Sequence, residues 1–128
     1  MNNEELNRLS KIILDASIEV HRNLGPGLLE SVYEVCLCKE LNARNVNSKR
    51  QVELPVFYKN DKLDAGFRID ILVENEIVLE LKSVDVLLPV HEAQLITYLK
   101  LADKRLGFLI NFNVPKLIEG FKRKVNNF

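Results

Sequence analysis

The chain lacks any apolar run long enough to span a membrane, and no apolar export leader stands at its start. The cytoplasm is therefore the expected location, with no membrane partner. Cysteine is scarce: Cys36 and Cys38 are the only two in 128 residues. They stand two apart in a helical pattern, so they point to different sides and should not bond to each other. Two lone thiols suit a reducing compartment. A net charge is missing too, since 18 Lys and Arg offset 18 Asp and Glu. That argues against a protein whose main task is to coat nucleic acid non-specifically. There is no nucleophilic-serine elbow, no glycine-rich phosphate loop and no Cys/His zinc spacing. Gly25-Pro26-Gly27 is too short and too proline-bound to cradle a phosphate. No repeat, low-complexity tract or linker divides the chain, so one domain over residues 1–128 is expected.

What is present is ordinary globular material, 47% hydrophobic and 28% charged. Charge is local even though it sums to zero. Asp70, Glu74, Glu76, Glu80 and Asp85 surround Lys82, and the C-terminal stretch carries Lys116, Lys122, Arg123 and Lys124 against Glu119. An acidic centre with a basic end fits a metal site beside a phosphate-binding surface. A solvated surface is the plainer alternative.

Leu6, Leu9, Ile13, Ala16, Val20 and Leu24 recur at steps of three and four, which predicts an amphipathic helix ended by Gly25-Pro26-Gly27. A second helix is expected from about Leu28 to Ala43, then strand-like sequence from Lys49 to Tyr58 with a turn at Asn60-Asp61. Two alternating runs, Phe67–Val73 and Ile77–Lys82, read as a hairpin around Glu74-Asn75-Glu76. A helix from Val90 to Ala102, a strand from Leu106 to Phe112 and a last helix after Pro115 complete the pattern. The order α-α-β-β-β-α-β-α implies an α/β fold, a mixed sheet flanked by helices.

The hairpin's register follows from its apolar residues. A three-residue loop pairs Val73 with Ile77, and hence Asp70 with Glu80 and Arg68 with Lys82. One face is then wholly apolar, with Phe67, Ile69, Ile71 and Val73 together; a two-residue loop would mix the faces. The chosen register sets two carboxylates side by side, which is unfavourable unless something offsets the charge. A hard cation such as Mg²⁺ does so with oxygen ligands, and Lys82 beside it could act on water or on phosphate charge. The alternative is a surface ion-pair ladder of Arg68, Asp70, Glu80 and Lys82. Glu30 shares a helix face with Tyr33, Leu37 and Leu41, and an acid on an apolar stripe needs a partner. It is either a third acid of the metal site or a first-turn acid that favours the helix dipole. Gln94 and Tyr98 share a face of the later helix, either at a site or as a polar stripe. His91 reads as a helix-start residue, and His21 as one that packs or caps a helix end.

These residues resemble a known pattern. Asp70 followed by Glu80-Leu81-Lys82 is similar to the D…(D/E)xK signature of PD-(D/E)XK nucleases. Gly66 to Asp70 and Gln94 to Tyr98 resemble the glycine-to-aspartate and QxxxY motifs of the RecB-type and phage-exonuclease branch. Gly27-Leu28-Leu29-Glu30-Ser31-Val32-Tyr33 resembles the motif of the GxxExxY proteins in that superfamily. The likeness runs from about Ile18 to Val125. It implies a restriction-endonuclease-like core with a four-stranded mixed sheet flanked by helices. It also implies Mg²⁺ or Mn²⁺ held by Asp70, Glu80, the Leu81 carbonyl and Glu30, with Lys82 positioning the attacking water. Gln94 and Tyr98 would contact the nucleic-acid backbone or brace the site. The implied activity is metal-dependent phosphodiester hydrolysis, in DNA by expectation. The rival reading is a nucleic-acid-binding or protein-interaction module with little turnover. Neutral charge and small size favour work as a homo-oligomer or with a partner protein.

Overall fold

The computed structural model describes residues 1–64 and 66–128. Helix α1 (Asn3–Leu24) and helix α2 (Glu30–Ala43) open the chain. Asn2 caps α1 by accepting from the Glu5 N–H at 2.8 Å. The helix stops where Gly25 takes a φ of +71°, a region glycine enters without steric cost, and donates its N–H to the His21 carbonyl. The following turn is pinned by Tyr33, whose hydroxyl donates to the Gly25 carbonyl at 2.6 Å and accepts from the Leu28 N–H at 3.1 Å. The Tyr33 ring stacks on Phe112, 4.4 Å between centroids.

Strands follow as β1 (Ser48–Glu53), β2 (Val56–Tyr58), β3 (Asp61–Leu63), β4 (Arg68–Val73) and β5 (Ile77–Lys82). Helix α3 (Pro89–Ala102), β6 (Leu106–Asn111) and β7 (Phe121–Val125) complete the fold. The main sheet has the order β1-β4-β5-β6-β7, with β5 and β6 parallel and the other pairs antiparallel. Strands β2 and β3 form a separate hairpin. The apolar stripe of α1, with Tyr33, Leu37 and Leu41 of α2, covers one face of the sheet. Leu95, Tyr98 and Leu99 of α3 cover the other. Side chains alternate along β5: Ile77, Leu79 and Leu81 face α1 and α2, while Val78 faces α3. Among the described residues, no helix is long and apolar enough to cross a membrane.

Three expectations are corrected. The strand expected from Lys49 to Tyr58 is broken, because Pro55 has no N–H for the ladder; β1 ends before it and β2 turns into its own hairpin. The helix expected after Pro115 is only a 3-10 turn, Leu117–Gly120, followed by a fifth strand in place of a four-stranded sheet. At Gly120 any side chain would run into the Asn111 carbonyl, so the backbone packs close enough to join β6. Phe121 then stacks on Phe108, 4.7 Å between centroids. Finally, the C-terminal basic run is partly engaged within the fold. Lys124 pairs with Glu92 of α3 at 2.6 Å, and the Arg123 guanidinium lies 4.7 Å from the centre of the Phe128 ring.

Candidate active site

The β4–β5 hairpin has the expected register at its closed end: Val73 pairs with Ile77, Leu72 with Val78 and Ile71 with Leu79. The backbone ladder ends there. At the next position side chains replace it. Glu80 Oε2 accepts the Asp70 N–H at 3.0 Å, and Asp70 Oδ2 accepts the Leu81 N–H at 2.9 Å. Each acid thus satisfies a main-chain donor on the opposite strand, where the two strands part.

The parting also changes which face the strand presents. Ile71 and Val73 pack toward α1 and α2, but Ile69 packs with Leu72, Val78 and Leu95 toward α3. Phe67 is 44% exposed, so the expected apolar face of Phe67, Ile69, Ile71 and Val73 is split at Asp70. Across the sheet, β1 pairs with β4 on both sides of this point, yet the Gln51–Asp70 pair is skipped. Gln51 has a φ of +53°, which lifts its peptide out of the ladder. The expected Arg68–Lys82 pairing is absent too, and among the described residues neither cation forms an ion pair with Asp70 or Glu80. The surface ion-pair ladder is therefore not the arrangement adopted.

Glu80 is 6% exposed and Asp70 is half-buried. Burial pushes the Glu80 carboxyl up to about 9, and the Asp70 charge pushes in the same direction. Asp70 is raised chiefly by burial, against the Leu81 N–H bond that favours its charged form. The two acids shift each other, so without an ion the pair holds a proton more readily than free carboxyls do. Tyr98, buried on α3, has its hydroxyl raised by burial and then by the charges of Glu80 and Asp70. Gln94, one turn earlier, is exposed and lines the same hollow as Tyr98.

Lys82 ends β5, half-buried, and its carbonyl accepts the Phe112 N–H at 3.0 Å. The loop after it is tied down by Asn111. The Asn111 amide accepts from the Val84 N–H at 3.1 Å and donates to the Val84 carbonyl at 2.9 Å. Glu30 is exposed at the first position of α2 and borders a hollow shared with Leu28, Leu29, Ser31 and Ser83. Ser83, next to Lys82, donates to the Leu28 carbonyl at 2.7 Å, so this hollow adjoins the end of β5. The acid whose charge reaches Asp70 is Glu34, one turn further along α2. Glu34 is 4% exposed and held by the Arg50 Nε at 3.0 Å and by the Gln51 amide at 3.0 and 3.1 Å. Sequence reasoning passed over Glu34. Its signal was the spacing of four from Glu30, which puts both on one side of α2. His91 accepts the Leu88 N–H on its ring nitrogen at the start of α3, and His21 donates to the Val114 carbonyl.

A model of the PD-(D/E)XK nuclease superfamily matches residues 7–124. The chain belongs to the PD-(D/E)XK nuclease superfamily. Its mixed five-stranded sheet between helices is consistent with that fold. No curated protein and no solved structure matched. The split hairpin is what brings Asp70 and Glu80 together. The pair offers only oxygen donors in a buried setting that disfavours two free charges, which fits a hard divalent cation in place of the proton. Among the described residues, no group of three or more His, Cys, Asp or Glu is gathered to hold an ion, so the fit is to a cation that keeps water or phosphate ligands.

Proposed function

We propose that this protein is a metal-dependent nuclease that hydrolyses phosphodiester bonds, in DNA first of all, and that it stands with the GxxExxY proteins on its Gly27–Tyr33 motif. The observation that carries the reading is the buried Asp70–Glu80 pair at the opened end of the hairpin, with Lys82 one residue beyond the Leu81 that Asp70 binds. Fold stability alone gives no reason to bury two acids in contact. Asp70, Glu80 and the Leu81 carbonyl would hold Mg²⁺ or Mn²⁺, with Glu30 toward its outer ligands. The ion would supply Lewis-acid stabilisation of the phosphate. Lys82 orients the attacking water and steadies charge on the phosphate oxygens. The water oxygen bonds to phosphorus, a P–O ester bond breaks, and the departing oxygen takes up a proton. Gln94 and Tyr98 hold the strand against α3. Tyr33 anchors the turn before α2 and so the end of the site.

The test is a cleavage assay on single- and double-stranded DNA and RNA with Mg²⁺ or Mn²⁺, with Asp70→Ala as control. Cleavage that needs the ion and disappears in the variant supports the reading. Equal cleavage by the variant marks a contaminant. Nucleic-acid binding without cleavage moves the protein to the binding-module reading.

A further inference from the structure

A hollow of about 410 Å³ lies between α3 and the segment leading into β4, lined in part by Val56, Phe67, Gln94, Thr97, Tyr98 and Leu101, with Phe67 three residues before Asp70. We propose that this hollow is a nucleobase subsite, which takes one unpaired base of the strand whose phosphate lies at Asp70 and Glu80. The proposal rests on the nuclease reading for the identity of the strand and adds the substrate class.

Three observations point to a base. Among the described residues the lining contains no charged side chain, so it has nothing to neutralise a phosphate and suits a neutral group. Its aromatic wall is Phe67, 44% exposed, set edge-on to Tyr98 with centroids 6.2 Å apart and rings inclined by 63°. A half-exposed phenyl ring is a stacking surface that every base can use. The rest of the wall is mostly aliphatic, with Val56, Val90, Ala93 and Leu101, and is interrupted by Gln94 and Thr97, whose amide and hydroxyl can donate and accept as the edge of a base requires. Cations lie outside the hollow, at Arg68 and Lys82 on the strands that carry the two acids. Neutral, mostly apolar space on one side, with cations and two acids on the strands beside it, matches the two halves of a nucleotide.

Tyr98 joins them, because it lines the hollow and packs in one buried cluster with Ile69, the residue before Asp70, and with Val78, two before Glu80. A base inside a duplex is stacked and paired and would have to leave the helix to enter. Single strands and unpaired ends are therefore the preferred substrates.

The experiment measures binding by fluorescence anisotropy in Ca²⁺, using the full chain. Three labelled DNAs are compared: a single strand, the same backbone with its bases removed, and a blunt duplex. Proteins are the wild type, Phe67→Ala and Phe67→Tyr. The wild type should bind the base-bearing strand about tenfold more tightly than the abasic strand. Phe67→Ala should lose that preference with abasic binding unchanged, and Phe67→Tyr should keep it. Equal wild-type affinity for abasic and base-bearing strands overturns the subsite, as does a duplex bound as tightly as the single strand. Both of these outcomes are read on the wild type alone, so misfolding of Phe67→Ala cannot obscure them. If the abasic strand binds equally well and Mn²⁺-dependent cleavage is seen, the subsite fails and the nuclease reading stands. If no DNA binds, both fail together.

Discussion

Replacing Glu80 by glutamine tests the proton on the acid pair directly. In the ion-free protein Glu80 keeps its proton up to about pH 9, whereas a glutamate in the unfolded chain loses it near about 4.3. Across the neutral range the folded state therefore binds one more proton than the unfolded chain. The sign follows: this contribution is complete below the unfolded value and is lost as pH rises toward the folded one. One proton of difference is a slope of about 1.4 kcal/mol per pH unit. Between about pH 6 and about pH 8 that is about 3 kcal/mol, or about 10 °C in melting temperature for a domain of this size. Glutamine can accept the Asp70 N–H and donate to the Asp70 carboxyl, with no proton to lose. Glu80→Gln should therefore melt above the wild type at pH 8 in chelator, with the gap about 10 °C smaller at pH 6. Thermal melts followed by circular dichroism across that range supply the measurement. Every other group is common to both proteins, so the difference between the two curves isolates position 80. Parallel curves would refute the reasoning, because they would mean that Glu80 loses its proton at the same pH in the folded and unfolded chain.

Asp70→Asn in chelator should melt at or above the wild type. Added Mg²⁺ or Mn²⁺ at about ten times its dissociation constant should raise the wild type by about 3–5 °C and the variant by little; a wild type blind to both ions would end the metal-site reading. Lys82→Ala should keep ion binding in a calorimetric titration while cleavage falls about a hundredfold; loss of ion binding, or unchanged cleavage, would remove the role given to Lys82. Tyr33→Phe strips both hydrogen bonds from the Gly25–Leu28 turn and should cost about 1–3 kcal/mol in urea unfolding; an unchanged midpoint would show that ring stacking on Phe112 alone holds the turn.

The hairpin was readable because its apolar residues allow one register only, and Val73–Ile77 pairing leads directly to the two acids. Period-two alternation also contained its own failure. It treats a strand as uniform, and so it carried Ile69 onto the face of Ile71, although the strands part at Asp70 and Ile69 packs toward α3. The left-handed Gln51 opposite that point has no local signal, since glutamine carries no preference for positive φ. The strand β7 was hidden for a different reason. Pro115 does open a turn, but the chain continues as strand because Gly120 lies against the Asn111 backbone, a contact made between segments distant in sequence. Glu34 was overlooked because its partners, Arg50 and Gln51, come from β1 and meet it only in three dimensions.

The side-chain bridge across β4 and β5 also bears on how the chain is maintained through generations. The bridge asks only for an acceptor at each position, to take the N–H of Asp70 and of Leu81. Asparagine and glutamine offer that acceptor without a buried charge. Drift under selection for folding alone would thus trade both acids for amides, each exchange neutral or favourable to stability. Keeping both acids requires a pressure that comes from outside the fold and tolerates its cost. Lys82 is held by no ion pair among the described residues, so folding gives little reason to preserve its charge. On the nuclease reading, a lineage freed from that chemistry would lose the carboxylates as readily as the lysine.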